Sequence, residues 1–286
     1  MTRTPTVRAL LEEAIRRLES APLSYGHGTA NALDEAAWLV LHALGLPIHE
    51  LDPHLGEPVT ATQAAKALAL IERRIRTKKP AAYLLHEAWL GPHRFYVDER
   101  VIVPRSFIAE LLRQWGKRPV PESVLDLCTG SGCLAILAAL AFPKARVDGA
   151  DLSADALAVA ARNVADYQLE HRVRLVESDL FAALRGCTYD LIASNPPYVK
   201  AASMRKLPDE YRAEPVLALA SGTDGLDHTR AILREAKKHL RPRGTLVVEI
   251  GHNRKALKKA YPALPFEWPE TSGGAGYVFA LRREDL

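Results

Sequence analysis

The sequence predicts an α/β fold, a mostly parallel sheet covered on both faces by helices, with a small helical domain in front of it. Three observations predict it. From Ser106 onward, short apolar runs alternate with segments of helical period. Residues 1–84 carry helical patterns and no strand-like run. The 286 residues, 48% hydrophobic and 25% charged, supply enough apolar material for about two cored domains.

Val7, Leu10, Leu11, Ala14, Ile15 and Leu18 recur at helical spacing and predict a first helix. A polar turn with two glycines, Tyr25-Gly26-His27-Gly28-Thr29, separates it from a second, largely apolar helix over 34–46, stopped by Gly45 and Pro47. Thr60-x-x-Gln63 has the form of a capping box. It opens a third helix with Leu68, Ile71 and Ile75 inward and Arg73, Arg74, Arg76 and Lys78 mostly outward. Trp89-Leu90, a Gly91-Pro92 turn, Phe95-Tyr96-Val97 and Val101-Ile102-Val103 then predict a hairpin-like connector that ends at Pro104. Beyond it the predicted strands are 123–127, 146–150, 172–176, 189–194 and 244–250, with a last one near 277–281. Helices over 132–142, 153–166 and 228–240 separate most of them. The expected domains are 1–84, 85–104 and 105–286.

Several function classes fall away on composition. No run approaches the ~20 apolar residues of a membrane span, and MTRTPTVRALLEEAIRR lacks the apolar core of a signal peptide, so a cytoplasmic location is expected. Cys128, Cys133 and Cys187 are too few and too irregular for a disulfide framework or a zinc site and read as buried thiols. A net charge of +4 tolerates an RNA-rich neighbourhood without demanding nucleic acid as substrate.

Both candidate motifs fall at carboxyl ends of predicted strands, where ligands bind a parallel sheet. The first is Asp126-Leu127-Cys128-Thr129-Gly130-Ser131-Gly132-Cys133-Leu134-Ala135, a strand running through a glycine turn into an apolar helix. Gly130-x-Gly132-x-x-Ala135 satisfies a loose dinucleotide fingerprint. Asp126 discriminates: projecting into the crevice, its charge would repel a pyrophosphate but suit a cationic amino group. S-adenosylmethionine has that chemistry, with an amino-acid end, a sulfonium and a nucleoside but no phosphate. Asp151, ending the next strand, is placed for the ribose hydroxyls. In Ser178-Asp179-Leu180-Phe181, Asp179 is placed for the adenine amino group, with Leu180 or Phe181 against the ring.

The second motif is Asn195-Pro196-Pro197-Tyr198, directly after the strand Tyr189–Ser194. A planar amide or aromatic amine is a poor nucleophile because its lone pair is delocalised. A site can accept both of its N–H bonds, through the Asn195 carboxamide oxygen and the Pro196 carbonyl. That aims the lone pair at a methyl donor and stabilises the charge developing on nitrogen. Proline stiffens the turn, and Tyr198 offers a flat face. No metal is expected.

With these residues the chain resembles the N(5)-glutamine methyltransferases that use S-adenosylmethionine, over nearly its full length. The resemblance implies a class I, Rossmann-like methyltransferase domain behind a helical domain that recognises the protein substrate. It implies a catalytic set of Asn195, Pro196, Pro197 and Tyr198. The cofactor set expected is Pro104, Arg105, Asp126, Cys128, Thr129, Gly130, Ser131, Gly132, Asp151, Leu152, Ser178, Asp179, Leu180 and Asn195, with Val103-Pro104-Arg105 resembling the connector that roofs the cofactor. Two branches of the family act on peptide-chain release factors or on large-subunit ribosomal protein three. Leu207-Pro208-Asp209-Glu210-Tyr211-Arg212-x-Glu214-Pro215, Leu219–Leu226, Tyr25–Thr29 and the Cys128–Cys133 form of the loop are similar to the ribosomal-protein branch. That protein, free or in an early assembly intermediate, is the expected partner.

The 200–227 stretch after the catalytic turn is a long insertion beside the site, more readily functional than idle. Its acids Asp209, Glu210, Glu214, Asp224 and Asp227 could face a basic protein substrate. Lys237, Lys238, Arg241 and Arg243 read as a solvated helix end before an RNA contact. The alternatives are a release-factor methyltransferase, a nucleic-acid adenine methyltransferase, a nicotinamide-dependent oxidoreductase and a binding module without turnover.

Overall fold

The structure is a computed structural model that describes residues 5–116 and 118–286. Met1–Thr4, where the stretch read for a signal peptide begins, and Lys117 lie outside the described residues. The chain forms two compact units. One comprises Met1–Trp89 and Pro208–Ala213, the other Leu90–Leu207 and Glu214–Leu286.

The first unit is helical: α1 Val7–Glu19, α2 Ala32–Leu44, α3 Leu51–His54, α4 Ala61–Thr77 and α5 Ala81–Leu85. Side chains start the three long helices. Thr6, Asn31 and Thr60 accept from the backbone N–H groups of Ala9, Asp34 and Gln63, and the Thr60–Gln63 capping box is complete. Gly45, at φ +71, ends α2. Val7, Leu10, Leu11, Ala14 and Leu18 of α1 are buried, as their spacing predicts, together with Ala67 and Ile71 of α4. Each such large aliphatic side chain contributes about 1.5–3 kcal/mol.

Arg74 departs from its expected outward place and is 1% exposed. Its Nε donates to Glu35 Oε1 at 2.6 Å and its Nη1 to Glu210 Oε1 at 3.3 Å. Nη2 donates to the Ser24 carbonyl at 3.0 Å, while the Ser24 N–H donates to Glu210 Oε1 at 2.8 Å. A planar guanidinium can serve acceptors on several sides at once. Glu210 reaches it because Asp209–Ala213, a 3-10 turn of the later insertion, belongs to this unit.

The chain then runs through a two-stranded sheet, β1 Ala88–Leu90 and β2 His93–Phe95. Val101-Ile102-Val103, grouped with that hairpin from the sequence, is irregular chain. The second unit continues with α6 Ile108–Arg113, β3 Ser123–Leu127, α7 Cys133–Ala141, β4 Arg146–Asp151, α8 Ala154–Asp166, β5 Val173–Glu177 and β6 Tyr189–Ser194. After these come α9 Ala201–Met204, α10 Asp227–His239, β7 Leu240–Glu249, α11 Arg254–Ala260 and β8 Val278–Arg282. The sheet order is β5-β4-β3-β6-β7-β8, parallel except for β8 at one edge. Strand β7 starts four residues before its predicted position, because an irregularity at Tyr189–Leu191 lets Leu240 pair ahead of Thr245.

One apolar layer, with Ile136, Leu137 and Val164 among its members, covers one face of the sheet. Another, with Ile232, Leu233 and Leu257, covers the other. That double burial explains why β3 and β6 read as nearly continuous apolar runs.

Candidate active site

Four strand ends come level. Leu127 of β3 pairs with Ala150 of β4 and Ser194 of β6, and Ala150 pairs with Val176 of β5. The segments that follow these residues therefore meet at one edge of the sheet. The Ser194 hydroxyl donates to the Leu127 carbonyl at 2.8 Å, joining β6 to β3 where both motifs begin. A pocket opens here, walled by Cys128, Gly130, Asp151, Leu152, Ser178, Asp179, Leu180, Asn195 and Pro197 of the expected residues.

Asp151 shapes the glycine turn. Its Oδ2 accepts the Gly130 N–H at 2.8 Å and its Oδ1 the Ser153 N–H at 3.0 Å. Burial raises its carboxyl above the usual range, opposed by those two bonds. A Cβ at Gly130 would meet nothing within 4 Å, so the backbone there is open to a ligand. Ser178 is buried and donates to the Leu180 carbonyl at 2.7 Å, holding the turn that presents Asp179.

The other expected residues stand away from the pocket wall. Asp126, expected to project into the crevice, is 1% exposed behind the loop. Its Oδ2 accepts from Thr129 Oγ1 and, at 3.0 Å, from the Ala135 N–H, so it braces the turn against α7. Burial, with these bonds opposing it, pushes its carboxyl up to about 7. Thr129 and Ser131 are buried. Gly132 is needed for packing, since its Cβ would lie 3.1 Å from that of Ala160. Pro104 is buried, and Arg105 pairs with buried Glu214, Nη2 to Oε2 at 2.7 Å. The connector residues on the wall are instead Arg100, Val101 and Ile102.

The wall also holds Pro215, Leu217 and Ala218 of the insertion and His228 at the start of α10. The length of the insertion was the sequence signal for the first three; nothing local marked His228.

Asn195 and Tyr198 are held differently. Asn195 Oδ1 is buried with no hydrogen-bond partner among the described residues. Tyr198 is fixed from three sides. Its carbonyl accepts from Asn253 Nδ2 at 2.8 Å, and its hydroxyl lies 3.5 Å from Glu249 Oε1. Gly251 approaches its ring so closely that a Cβ there would lie 2.8 Å away. Glu249 Oε2 accepts from Ser106 Oγ at 2.7 Å and from the Phe107 N–H at 2.9 Å. Burial pushes the Glu249 carboxyl up to about 7 against those hydrogen bonds.

The acids of the insertion form ion pairs within the protein, and two of the five expected to face a substrate, Glu210 and Glu214, are buried away from it. Asp209 pairs with Lys78 at 2.7 Å, Glu210 with Arg74, Glu214 with Arg105, and Asp224 and Asp227 with Arg230.

The arrangement is a pocket with carboxylates at successive strand ends and an acceptor turn at its lip. A methyltransferase small domain model matches residues 107–209, and a PrmC N-terminal domain model matches residues 9–85. A ribosomal protein uL3 glutamine methyltransferase of Neisseria meningitidis serogroup B is 57% identical, covering 98% of this chain and 94% of its own. The chain belongs to this family of glutamine methyltransferases. Proteins of the same name from Bordetella pertussis and Bradyrhizobium diazoefficiens are 52% and 48% identical, covering 98% and 96% of this chain and 96% and 89% of their own.

The fold is the class I, Rossmann-like methyltransferase fold. It is similar to that of the hMettl16 catalytic domain in complex with a MAT2A 3'UTR hairpin, with a TM-score of 0.52 and 15% identity over 78% of this chain and 81% of that one. No helix among the described residues is long and apolar enough to cross a membrane.

The residues present fit the family's methyl donor, S-adenosylmethionine. Asp126 Oδ1 is a buried acceptor with no partner among the described residues. Gly130 leaves backbone exposed to the pocket, and Asp151 and Asp179 add acceptors suited to hydroxyl and amino groups without facing a phosphate.

Proposed function

We propose that this protein transfers a methyl group from S-adenosylmethionine to the side-chain amide nitrogen of a glutamine in ribosomal protein uL3. What carries this reading is the buried, unpartnered Asn195 Oδ1 on the wall of a pocket that Asp151 and Asp179 also line. Bound there, S-adenosylmethionine supplies a methyl carbon made electrophilic by its sulfonium.

Gly130, Asp151, Leu152, Asp179 and Leu180 hold the nucleoside, and Asp126 braces the turn that carries Gly130 from behind. Asn195 Oδ1 and the Pro196 carbonyl accept the two amide N–H bonds, turning the lone pair toward the methyl carbon. They also face the positive charge that grows on nitrogen as the methyl–sulfur bond breaks, which is where fixed dipoles lower a barrier most. One N–H proton of the methylated amide is then released to water. Pro197 stiffens the turn, and Tyr198 packs its ring on the planar amide. Glu249, Gly251 and Asn253 keep that ring and the Tyr198 carbonyl in place. The helical domain, 1–84, recognises the protein substrate before it is buried in the ribosome; 85–104 connects and 105–286 catalyses. The cell compartment is the cytoplasm, and no direct RNA contact is required.

Labelled methyl transfer into purified uL3, with a release factor as the competing acceptor, tests this reading. A labelled glutamine mapped in uL3 supports it. Label in the release factor alone overturns the substrate assignment. Asn195→Ala should keep the affinity for S-adenosylhomocysteine while turnover falls by roughly 10²–10³-fold, the loss typical for one preorganised charge-stabilising group. Unchanged turnover would remove Asn195 from the mechanism.

A further inference from the structure

His228 is an ionisable side chain on the pocket wall that the proposed reaction leaves without a task. It lies in the first turn of α10 and shares the wall with Asp179 and Leu180. Its partner is Ser221, a residue of the insertion only 1% exposed. Ser221 Oγ accepts the backbone N–H of His228 at 3.2 Å and lies 2.9 Å from its Nδ1.

That geometry decides the tautomer. Were Nδ1 protonated, it would donate to Oγ, and the buried Ser221 hydroxyl would have no acceptor for its own hydrogen among the described residues. Such an orphaned buried donor is costly. With the hydroxyl donating to Nδ1, Ser221 Oγ and Nδ1 are both satisfied and the ring proton sits on Nε2. Burial lowers the pKa of this imidazole, against the raising influence of Asp227 and Asp179, which keeps the ring neutral. Nε2–H has no partner among the described residues and belongs to a side chain that faces the pocket.

The pocket therefore presents a neutral donor, Nε2–H, beside the Asp179 acceptor. Adenine is complementary to that pair, since its exocyclic amine donates and its ring nitrogens accept. We propose that His228, with its tautomer set by Ser221, donates through Nε2–H to an adenine ring nitrogen of the methyl donor and so helps to select an adenine nucleoside. The inference rests on the pocket being the S-adenosylmethionine site.

Calorimetric binding of S-adenosylhomocysteine and its 1-deaza, 3-deaza and 7-deaza adenine analogues tests it, with folding checked by circular dichroism. The wild-type protein should bind the parent compound and lose about three- to tenfold in affinity with one analogue, the worth of one net hydrogen bond. His228→Ala should lose the same factor for the parent and show no further loss with that analogue. His228→Gln, whose amide N–H falls near the Nε2 position, should recover most of the affinity. Ser221→Ala should give an intermediate loss, because either ring nitrogen can then carry the proton.

His228→Ala binding the parent within twofold of wild type, or keeping the wild-type discrimination among the analogues, overturns the inference and leaves the methyltransferase reading intact. Failure of the wild-type protein to bind S-adenosylhomocysteine at all would instead overturn the reading of the pocket.

Discussion

Cys128 adopts φ +59 in the turn between β3 and α7, a left-handed conformation that costs a residue with a Cβ roughly 1–2 kcal/mol. Cys128→Gly should therefore leave the thermal midpoint unchanged or raise it and preserve S-adenosylhomocysteine binding. Cys128→Val, whose branched Cβ is worse there, should lower stability by about 2 kcal/mol or more in urea unfolding.

Glu249 makes a second prediction at this scale. Its folded pKa is pushed up to about 7, whereas an unfolded glutamate titrates near 4.3. Between those values the folded state binds a proton that the unfolded state lacks, so stability falls as pH rises through the window and levels off above it. Asp126 contributes in the same direction. Glu249→Gln should flatten the fall in thermal midpoint between pH 5 and pH 8, leaving the shares of Asp126 and Asp151, which His228 opposes; an unaltered slope would show that Glu249 does not titrate there.

At the scale of elements, the buried cluster of Arg74, Glu35 and Glu210 binds a 3-10 turn to the helices of the first unit. Removing the cation strands two buried carboxylates. Arg74→Met should therefore cost about 3–5 kcal/mol in urea unfolding, and adding Glu35→Gln and Glu210→Gln should restore much of it.

The same cluster shows where sequence reasoning stops. The face of α1 and the capping box of α4 were legible because their signals lie within one or two turns. The inward place of Arg74 was not, because its acid partner Glu210 lies 136 residues further along. The site divides in the same way. Gly130, Asp151, Asp179 and Asn195 could be placed from motifs at strand ends, since a parallel sheet brings strand ends to one edge. Asp126 was rightly placed at its strand end but turned inward by Thr129 and Ala135. His228 and Glu249 owe their places to Ser221, Ser106 and Tyr198, each on another segment, and no local pattern announces such pairings.

For the whole molecule, the division into units predicts how the chain behaves when cut. Glu210 reaches Arg74 from a segment that returns to the first unit after β6 and α9. A fragment of residues 1–89 lacks that acid, so the amides of α2 and α4 should exchange with deuterium at least tenfold faster than in the intact protein. Equal protection would mean that Pro208–Ala213 is dispensable to the helices.

The interrupted path of the first unit also constrains its own synthesis. A nascent chain presents α1 to α5 early, yet Glu210, the second carboxylate on Arg74, leaves the exit tunnel more than a hundred residues later, a delay on the order of ten seconds at ~5–20 residues per second. Until then the amino-terminal helices hold a guanidinium with one of its two carboxylate acceptors missing. The domain made first is thus unable to mature first, and its completion waits on elongation past the very turn that carries the acceptor motif.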